Sequence, residues 1–471
     1  MEGDSELSQS IDSMIRPKDR KFNTDKGILL LDHFDEKAEM LIKSMRDGGF
    51  DGPSVLIEEC GFLPEDVFSI FGYYINRPTG KGKTDPDHQG LRVGQARFFN
   101  QIELPDYWEI KADGLSGKIL DKNRLRGRIF YAPSGRRLVS DVDWIDEKGS
   151  ARITDHYDSC GLLYSRDYFN KAGEKFARIW FDCGQERIYE NYVTGNIVLT
   201  LDGKDYIFKD KTEFAIHVLR EMGADGKRIF YNSLSTPLFV SERLESSPSG
   251  NILFWQEDPR NDIPGNMAYI LSGQTKTSHI FVQNSLSYDR LISLGASEEK
   301  ISKLGFSYRF EREPGNFDKA LICTNSDDIE DLAILVDKNP RITFFIASIT
   351  EMSRKLMSFG SRKNVKLYPV VRRDMLESLF KAAGIYLDIN RGIEIEDAVK
   401  RAFLNNMPIL AFNDTVHRRY YTAENNIFKD PDSLSRAIQD KDWLLLRIDD
   451  QKKSAMTCQD YSKFISNNSR L

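Results

Sequence analysis

The sequence predicts an α/β protein with two doubly wound domains in tandem, the first interrupted by an antiparallel β-meander. Three observations predict this class. Short apolar runs alternate with stretches whose apolar residues recur every three to four positions, first over residues 27–57 and again from about residue 317. Between about residues 96 and 211 the period falls to two, and Gly149, Gly161, Gly173 and Gly184 recur at spacings of 12, 12 and 11 in polar turns. At 471 residues the chain is also too long for one core.

Composition narrows the function classes. The chain is 40% hydrophobic and 29% charged, with a formal net charge of −6, which argues against a general nucleic-acid binder. The five cysteines are scattered without C-x-x-C spacing, so reduced thiols are expected rather than a disulfide framework or a zinc site. No metal or cofactor is expected. No apolar run approaches the roughly 20 residues of a membrane helix, and the N-terminus lacks a signal-peptide core. The expected location is cytoplasmic, at most peripheral on the inner face of the cell membrane.

In order, residues 1–26 are polar and aperiodic and read as a flexible tail. Residues 27–32 form an apolar strand run, Ala38, Leu41, Ile42 and Met45 mark an amphipathic helix ended by Gly48 and Gly49, and residues 54–57 are the next strand. The Gly-, Lys- and Pro-rich stretch from 73 to 94 contains GKGK at 80–83, which lacks the frame of a phosphate-binding loop and reads as a solvated loop. Residues 96–211 carry the meander, with strand runs such as ARIWF at 177–181 and IVLTL at 197–201. A helix at 213–222 restores the α/β rhythm, followed by strands at 228–231, 252–255 and 279–282. The first domain is therefore split, 27–95 and 212–315, around an inserted sheet at 96–211. The second domain spans 316–448, with strands at 320–324, 342–348, 365–368, 384–389 and 408–412 and helices at 328–336, 352–359, 375–382, 395–404 and 434–438. Asp327, Asp328, Glu330 and Asp331 complement the dipole of its first helix. Residues 449–471 read as a weakly ordered tail apart from whatever Tyr461 and Phe464 pack against.

Residues 384–414 form one parallel βαβ unit, whose loop lies at the carboxyl end of a strand, where open α/β sheets place ligands. The candidates there are Asp388 and Asn390. Asn325 and Ser326 follow an earlier strand, and His417 lies just past a later one. In the first domain, Asn232, Ser233 and Ser235 follow a strand, although a helix cap explains Ser235 equally well. His279 opens a strand, where a structural role is the simpler reading.

The words LDHF (31–34), GFLP (61–64), LPDYWEI (104–110), VDWIDEKG (142–149), TDHY (154–157), NYVTG (191–195), RIFYNSLSTP (228–237), TNSD (324–327) and LDIN (387–390) closely resemble the glycosyltransferase-stabilising B subunits of the bacterial accessory secretion system. The resemblance runs from residue 27 to about 445. It implies a GT-B-like body of two Rossmann-type domains with an extended β-sheet inserted in the first. It also implies a hetero-oligomer with a catalytic sister, the A subunit, which transfers N-acetylglucosamine from UDP-N-acetylglucosamine to Ser and Thr of serine-rich repeat adhesins before export. The B subunit would hold the acceptor polypeptide and stabilise the enzyme. Trp144, Tyr157, Tyr164, Tyr168, Trp180 and Tyr189 of the meander are the candidate acceptor surface, since alternation turns part of the set outward.

Retaining glycosyltransferases of this architecture resemble one another in two glutamates eight positions apart, ahead of a proline. Aligning Ala402 and Pro408 to that pattern puts Ile393 and Arg401 at the two positions. Isoleucine cannot stabilise charge at the reacting centre. A shift of one residue recovers Glu394 but puts Ala402 second, and Asp388 with Glu396 loses the Pro408 register. The loop expected to carry a basic pair for the donor diphosphate reads NSDD at 325–328, and its acids would repel phosphate. The leading expectation is a non-catalytic acceptor-binding partner with degenerate catalytic positions at Ile393 and Arg401. The alternatives are a self-sufficient retaining glycosyltransferase and a sugar- or nucleotide-binding regulator.

Overall fold

The structure is a computed structural model that describes residues 14–15, 18, 21–75, 77–78, 95–133, 137–245 and 247–468. Two compact units divide it, Met1–Leu304 with Gln459–Leu471, and Gly305–Cys458.

A seven-stranded parallel sheet forms the heart of the first unit, in the spatial order Ile301–Lys303, Thr277–Val282, Asn251–Trp255, Ile229–Tyr231, Ile28–Leu31, Ser54–Leu56, Val67–Ser69. The chain winds outward in both directions from the pair Ile28–Leu31 and Ile229–Tyr231, which pair in parallel register. Ile28, Leu29, Leu30 and Leu31 are all fully buried, as a strand covered on both faces requires. Helix Glu36–Asp47 starts where the Asp35 carboxylate accepts the Ala38 N–H at 2.7 Å, and its buried face carries Ala38, Leu41, Ile42 and Met45 as the periodicity predicts.

The meander is a ten-stranded antiparallel sheet from Trp108–Ala112 to Lys204–Phe208, with every strand beside its sequence neighbours. Gly149, Gly173 and Gly184 take positive φ at its turns, which explains their regular spacing. At one end of the sheet Trp180 stacks on Phe71, ring centroids 4.2 Å apart and 5° from parallel, and Ile188, Ile197, Leu199 and Phe208 join the same core. Toward the other end a smaller core gathers Ile119, Ile129, Val142 and Tyr157 under Ile102.

The second unit is a six-stranded parallel sheet in the order Val365–Tyr368, Thr343–Ala347, Lys319–Cys323, Ile385–Asp388, Ile409–Phe412, Ile427–Phe428. Its direction of winding reverses between Lys319–Cys323 and Ile385–Asp388, so the loops after those strands diverge and leave a crevice. Its first and fourth connecting helices, Leu332–Lys338 and Ala398–Leu404, start later than the periodicity suggests. Asp331, Glu396 and Asp397 adopt left-handed backbone at φ 48°, 48° and 51°, which bars the helix from extending back through them.

The C-terminal expectation is corrected. Residues 449–468 are not a loose tail, because Lys441–Gln451 and Cys458–Asn468 are helices. In the latter Tyr461 is fully buried and accepts a hydrogen bond from the Gln283 amide at 3.1 Å. Phe464 meets the rings of Phe230, Phe254 and Phe281 at 5.9, 5.5 and 4.9 Å. Polar residues on the outward face hide this helix from periodicity. The tail reading at the N-terminus is also shortened, since Phe22 packs on Phe68 at 5.1 Å and on Tyr73 at 6.4 Å. Residues 1–13, 16–17 and 19–20, and the GKGK loop at 80–83, lie outside the described residues. Among the described residues no helix is long and apolar enough to cross a membrane, and no cluster of His, Cys, Asp and Glu is arranged to hold a metal ion.

Candidate functional site

At the reversal point of the second sheet, the strand Ile385–Asp388 delivers Asp388 to the base of the crevice, 2% exposed. Oδ1 of Asp388 lies 2.6 Å from Nδ1 of His417, and Oδ2 accepts the His417 backbone N–H at 2.9 Å. The other ring nitrogen of His417 lies 2.7 Å from the Gly392 carbonyl. Both ring nitrogens therefore face acceptors, which only the doubly protonated imidazolium satisfies. The bond to Asp388 pushes the His417 pKa up to about 9.

The same loop is tied to its neighbour. Asn390, 2% exposed, accepts hydrogen bonds from the Thr324 hydroxyl at 2.8 Å and from the Gly392 N–H at 2.9 Å. The Arg391 N–H reaches the Asp328 carbonyl at 3.0 Å, the Glu330 N–H reaches the Ile389 carbonyl at 2.9 Å, and the Arg391 side chain pairs with Glu330. Thr324 also accepts from the Ser326 N–H at 2.9 Å. The structure thus brings together Asp388, Asn390 and His417 and links them through Thr324 to Ser326. Asn325 and Ser326 line a cavity of about 310 Å³ between the loops after Lys319–Cys323 and Thr343–Ala347.

Of the two aligned catalytic positions, Ile393 borders this knot, its carbonyl accepting the Asn390 side-chain N–H at 3.5 Å, and Arg401 lies on the helix Ala398–Leu404 that follows. Ile393 is 75% exposed. The Arg401 guanidinium lies over the Phe380 ring, 4.7 Å from its centroid. Neighbouring Glu394 is occupied structurally. One carboxylate oxygen accepts the Val399 N–H at 2.9 Å at the start of helix Ala398–Leu404, and the other pairs with Arg418 at 2.5 Å.

In the first unit, the Asn232 side chain accepts the Asp32 N–H at 3.0 Å and donates to Gln256 at 2.8 Å, clamping three strand ends. The Ser233 hydroxyl donates to Asp32 at 3.3 Å and lies 2.9 Å from that of Ser235. Ser235 precedes helix Thr236–Arg243, but its side chain makes no capping bond. The His279 ring is 2.9 Å from the Ser302 hydroxyl on the next strand, and burial lowers its pKa. These groups are strand-end and inter-strand ties.

The aromatic set divides, and half of it is corrected. Trp180, Tyr164 and Tyr157 are 0, 4 and 7% exposed and belong to the packed cores, out of reach of an acceptor chain. Trp144 is half-buried and donates its indole N–H to Asp155 at 2.8 Å, and Tyr168 is half-buried beside Phe176. Tyr189 faces outward at 38% exposure, in register with Ile179 on one side and Val198 on the other, and Val198 pairs with Ile207 at 71% exposure. These four residues form an outward row across four strands.

Four family models match the chain in succession. They are the GtfB N-terminal domain over residues 28–74, the GtfB middle domain over 108–209, the GtfB third domain over 211–294 and the GftB/GlyA-F C-terminal domain over 320–456. The UDP-N-acetylglucosamine--peptide N-acetylglucosaminyltransferase stabilizing protein GtfB of Streptococcus agalactiae is 40% identical over 405 residues, covering 85% of this chain and 89% of that protein. The chain belongs to the GtfB family. The GtfB of Streptococcus parasanguinis is 34% identical over 94% of this chain and 99% of its own length. In a crystal structure of a GtfA/B complex bound to UDP and GlcNAc, one chain matches with a TM-score of 0.82 at 34% identity, covering 93% of this chain and 99% of that one. The architecture, two parallel α/β units and an antiparallel meander, is thus the GT-B-like class the sequence predicts and a GtfB fold.

Sequence reasoning missed Thr324, Thr415 and Arg418, which are tied to Asn390, Asp388 and Glu394. Thr415 donates to the Asp388 carbonyl at 2.6 Å, and Arg418 pairs with both Glu394 and Asp397. Thr324 stands inside the TNSD word, so the signal was present. Arg418 directly follows His417, and only the folded loop shows it turning back to Glu394.

Proposed function

We propose that the chain is a non-catalytic subunit that stabilises a peptide N-acetylglucosaminyltransferase and holds its Ser/Thr-rich acceptor. The observation that carries this reading is likeness along the whole body. Proteins named as GtfB stabilising proteins match it at 40 and 34% identity over 85 and 94% of its length, and a chain of a GtfA/B complex shares its fold. The partner is then a GtfA-like transferase that uses UDP-N-acetylglucosamine. The acceptor is a serine-rich repeat adhesin, modified in the cytoplasm or on the inner membrane face before export.

The chemistry of the second unit supports a silent role. The solvent-facing side chain at 393 is apolar, and Arg401, a cation, is spent on an aromatic ring. Asp388, the best-placed carboxylate, is occupied by His417. For the acceptor, the outward row through Tyr189 supports a platform for an extended chain, replacing the wider aromatic set.

The test is direct. The purified chain, given UDP-N-acetylglucosamine and a Ser/Thr-rich peptide, yields no glycopeptide by mass spectrometry until the GtfA-like subunit is added. Sugar transfer by the lone chain overturns the reading. Arg401→Ala is expected to leave transfer by the complex essentially unchanged.

A further inference from the structure

The ten-stranded meander ends in an edge strand, Lys204–Phe208, that pairs with Ile197–Leu201 on one side alone. Lys204, Asp205, Tyr206 and Ile207 are all exposed, and Phe208 turns into the core. A bare edge is a template for another strand, and folds guard one with proline, a bulge or charges. The opposite edge, Trp108–Ala112, follows that rule, since Glu109 and Lys111 stand exposed along it and pair at 3.2 Å. The strand Lys204–Phe208 has no proline, and its pairing runs without a bulge.

The register fixes which backbone groups are open. Asp202 and Gly203 form a two-residue turn in left-handed backbone, φ 50° and 74°, which closes on Leu201 and Lys204 as a hydrogen-bonded pair. Alternation then turns the N–H and C=O of Tyr206 and Phe208 inward, toward Leu199 and Ile197, and those of Asp205 and Ile207 outward. Among the described residues no hydrogen bond reaches these outward backbone groups. They are spaced to pair with one extended chain.

The side chains fit the same occupant. An added strand would have Ile207, 71% exposed, beside it on the open face and Tyr206, 45% exposed, on the other, so both halves of its alternation meet apolar surface. Ile207 also ends the outward row through Tyr189 and Val198. One cation and one anion, Lys204 and Asp205, give the edge no net charge, which suits an uncharged polar chain of short side chains. Main-chain pairing is indifferent to sequence, so a repetitive polypeptide can enter in many registers. We propose that the Ser/Thr-rich acceptor binds as an additional strand along Lys204–Phe208, an inference that rests on the acceptor-holding reading and adds how the chain is held.

Fluorescence anisotropy on the intact purified chain tests this with labelled Ser/Thr-rich repeat peptides. N-methylation at every second residue leaves one edge of the peptide free to pair and is expected to be tolerated. N-methylation at consecutive residues blocks both edges and is expected to weaken binding about tenfold or more. Ile207→Pro removes an outward N–H at an edge, where proline is compatible with the fold, and is expected to weaken binding about tenfold. Ile207→Ala keeps the N–H and should weaken it less. Circular dichroism establishes that each variant folds, and the methylated peptides need no variant at all. Equal binding of all the methylated peptides, or binding unchanged in a folded Ile207→Pro chain, overturns the edge site and leaves the acceptor-holding role standing. Absence of peptide binding to the unmodified chain overturns both.

Discussion

At neutral pH both ring nitrogens of His417 donate, one toward Asp388 and one toward the Gly392 carbonyl. The histidine thereby neutralises a carboxylate that is 2% exposed. Its folded pKa of about 9 lies above the ordinary value of 6.5, so the stabilisation is fully present below about pH 6.5. It erodes as the unfolded chain deprotonates and is gone once the pH passes about 9. Urea unfolding of the second unit is therefore expected to weaken between pH 7 and 10, and His417→Gln should flatten that dependence. At pH 7 the same substitution should cost about 2–3 kcal/mol, since it leaves Asp388 buried without its cation. The position of these residues was legible in the sequence, because a polar residue just after an apolar run sits at a strand end. Their roles were not, because Asp388 and His417 are 29 residues apart and only the sheet order brings them together.

The meander shows how far a period reaches. Alternation and regularly spaced glycines predict strands and turns, and all ten strands follow in chain order. Period two does not say which face meets the parallel sheet, and so it could not separate Trp180 from Tyr189. The stack of Trp180 on Phe71 decides it. Trp180→Ala is expected to destabilise the first unit by about 3–5 kcal/mol, measured by denaturant unfolding. Tyr189→Ala should leave stability within about 0.5 kcal/mol while weakening capture of an acceptor peptide, measured by fluorescence anisotropy. The opposite pattern would move the acceptor surface elsewhere. Helix starts were misjudged for a related reason, since three acidic residues in left-handed backbone carry no periodic signature.

On the scale of the whole molecule, the two doubly wound sheets were legible because each strand is a buried apolar run between helical stretches. The return of the chain was not. It passes from the first unit to the second at Leu304 and back after Cys458. The second unit's first and last segments are zipped together, with the Tyr308 N–H on the Met456 carbonyl at 3.1 Å and the Met456 N–H on the Phe306 carbonyl at 2.9 Å. A Cβ at Gly305 would sit 1.5 Å from the Ser454 carbonyl oxygen. Gly305→Ala is expected to destabilise the second unit, read as a lowered melting temperature, because backbone rather than a flexible side chain must give way.

The helix Cys458–Asn468 has a consequence for synthesis. The aromatic face of Phe230, Phe254 and Phe281 emerges from the ribosome well before the residues that cover it, Tyr461 and Phe464. The unit translated first is thus among the last to be completed, and its apolar sheet face waits bare while the whole second unit is made. A nascent chain of this design is exposed to aggregation for about 180 residues of elongation, on the order of 10–40 s at typical bacterial rates. Whatever shields that face in the interval acts on the growing chain, before any mature assembly exists.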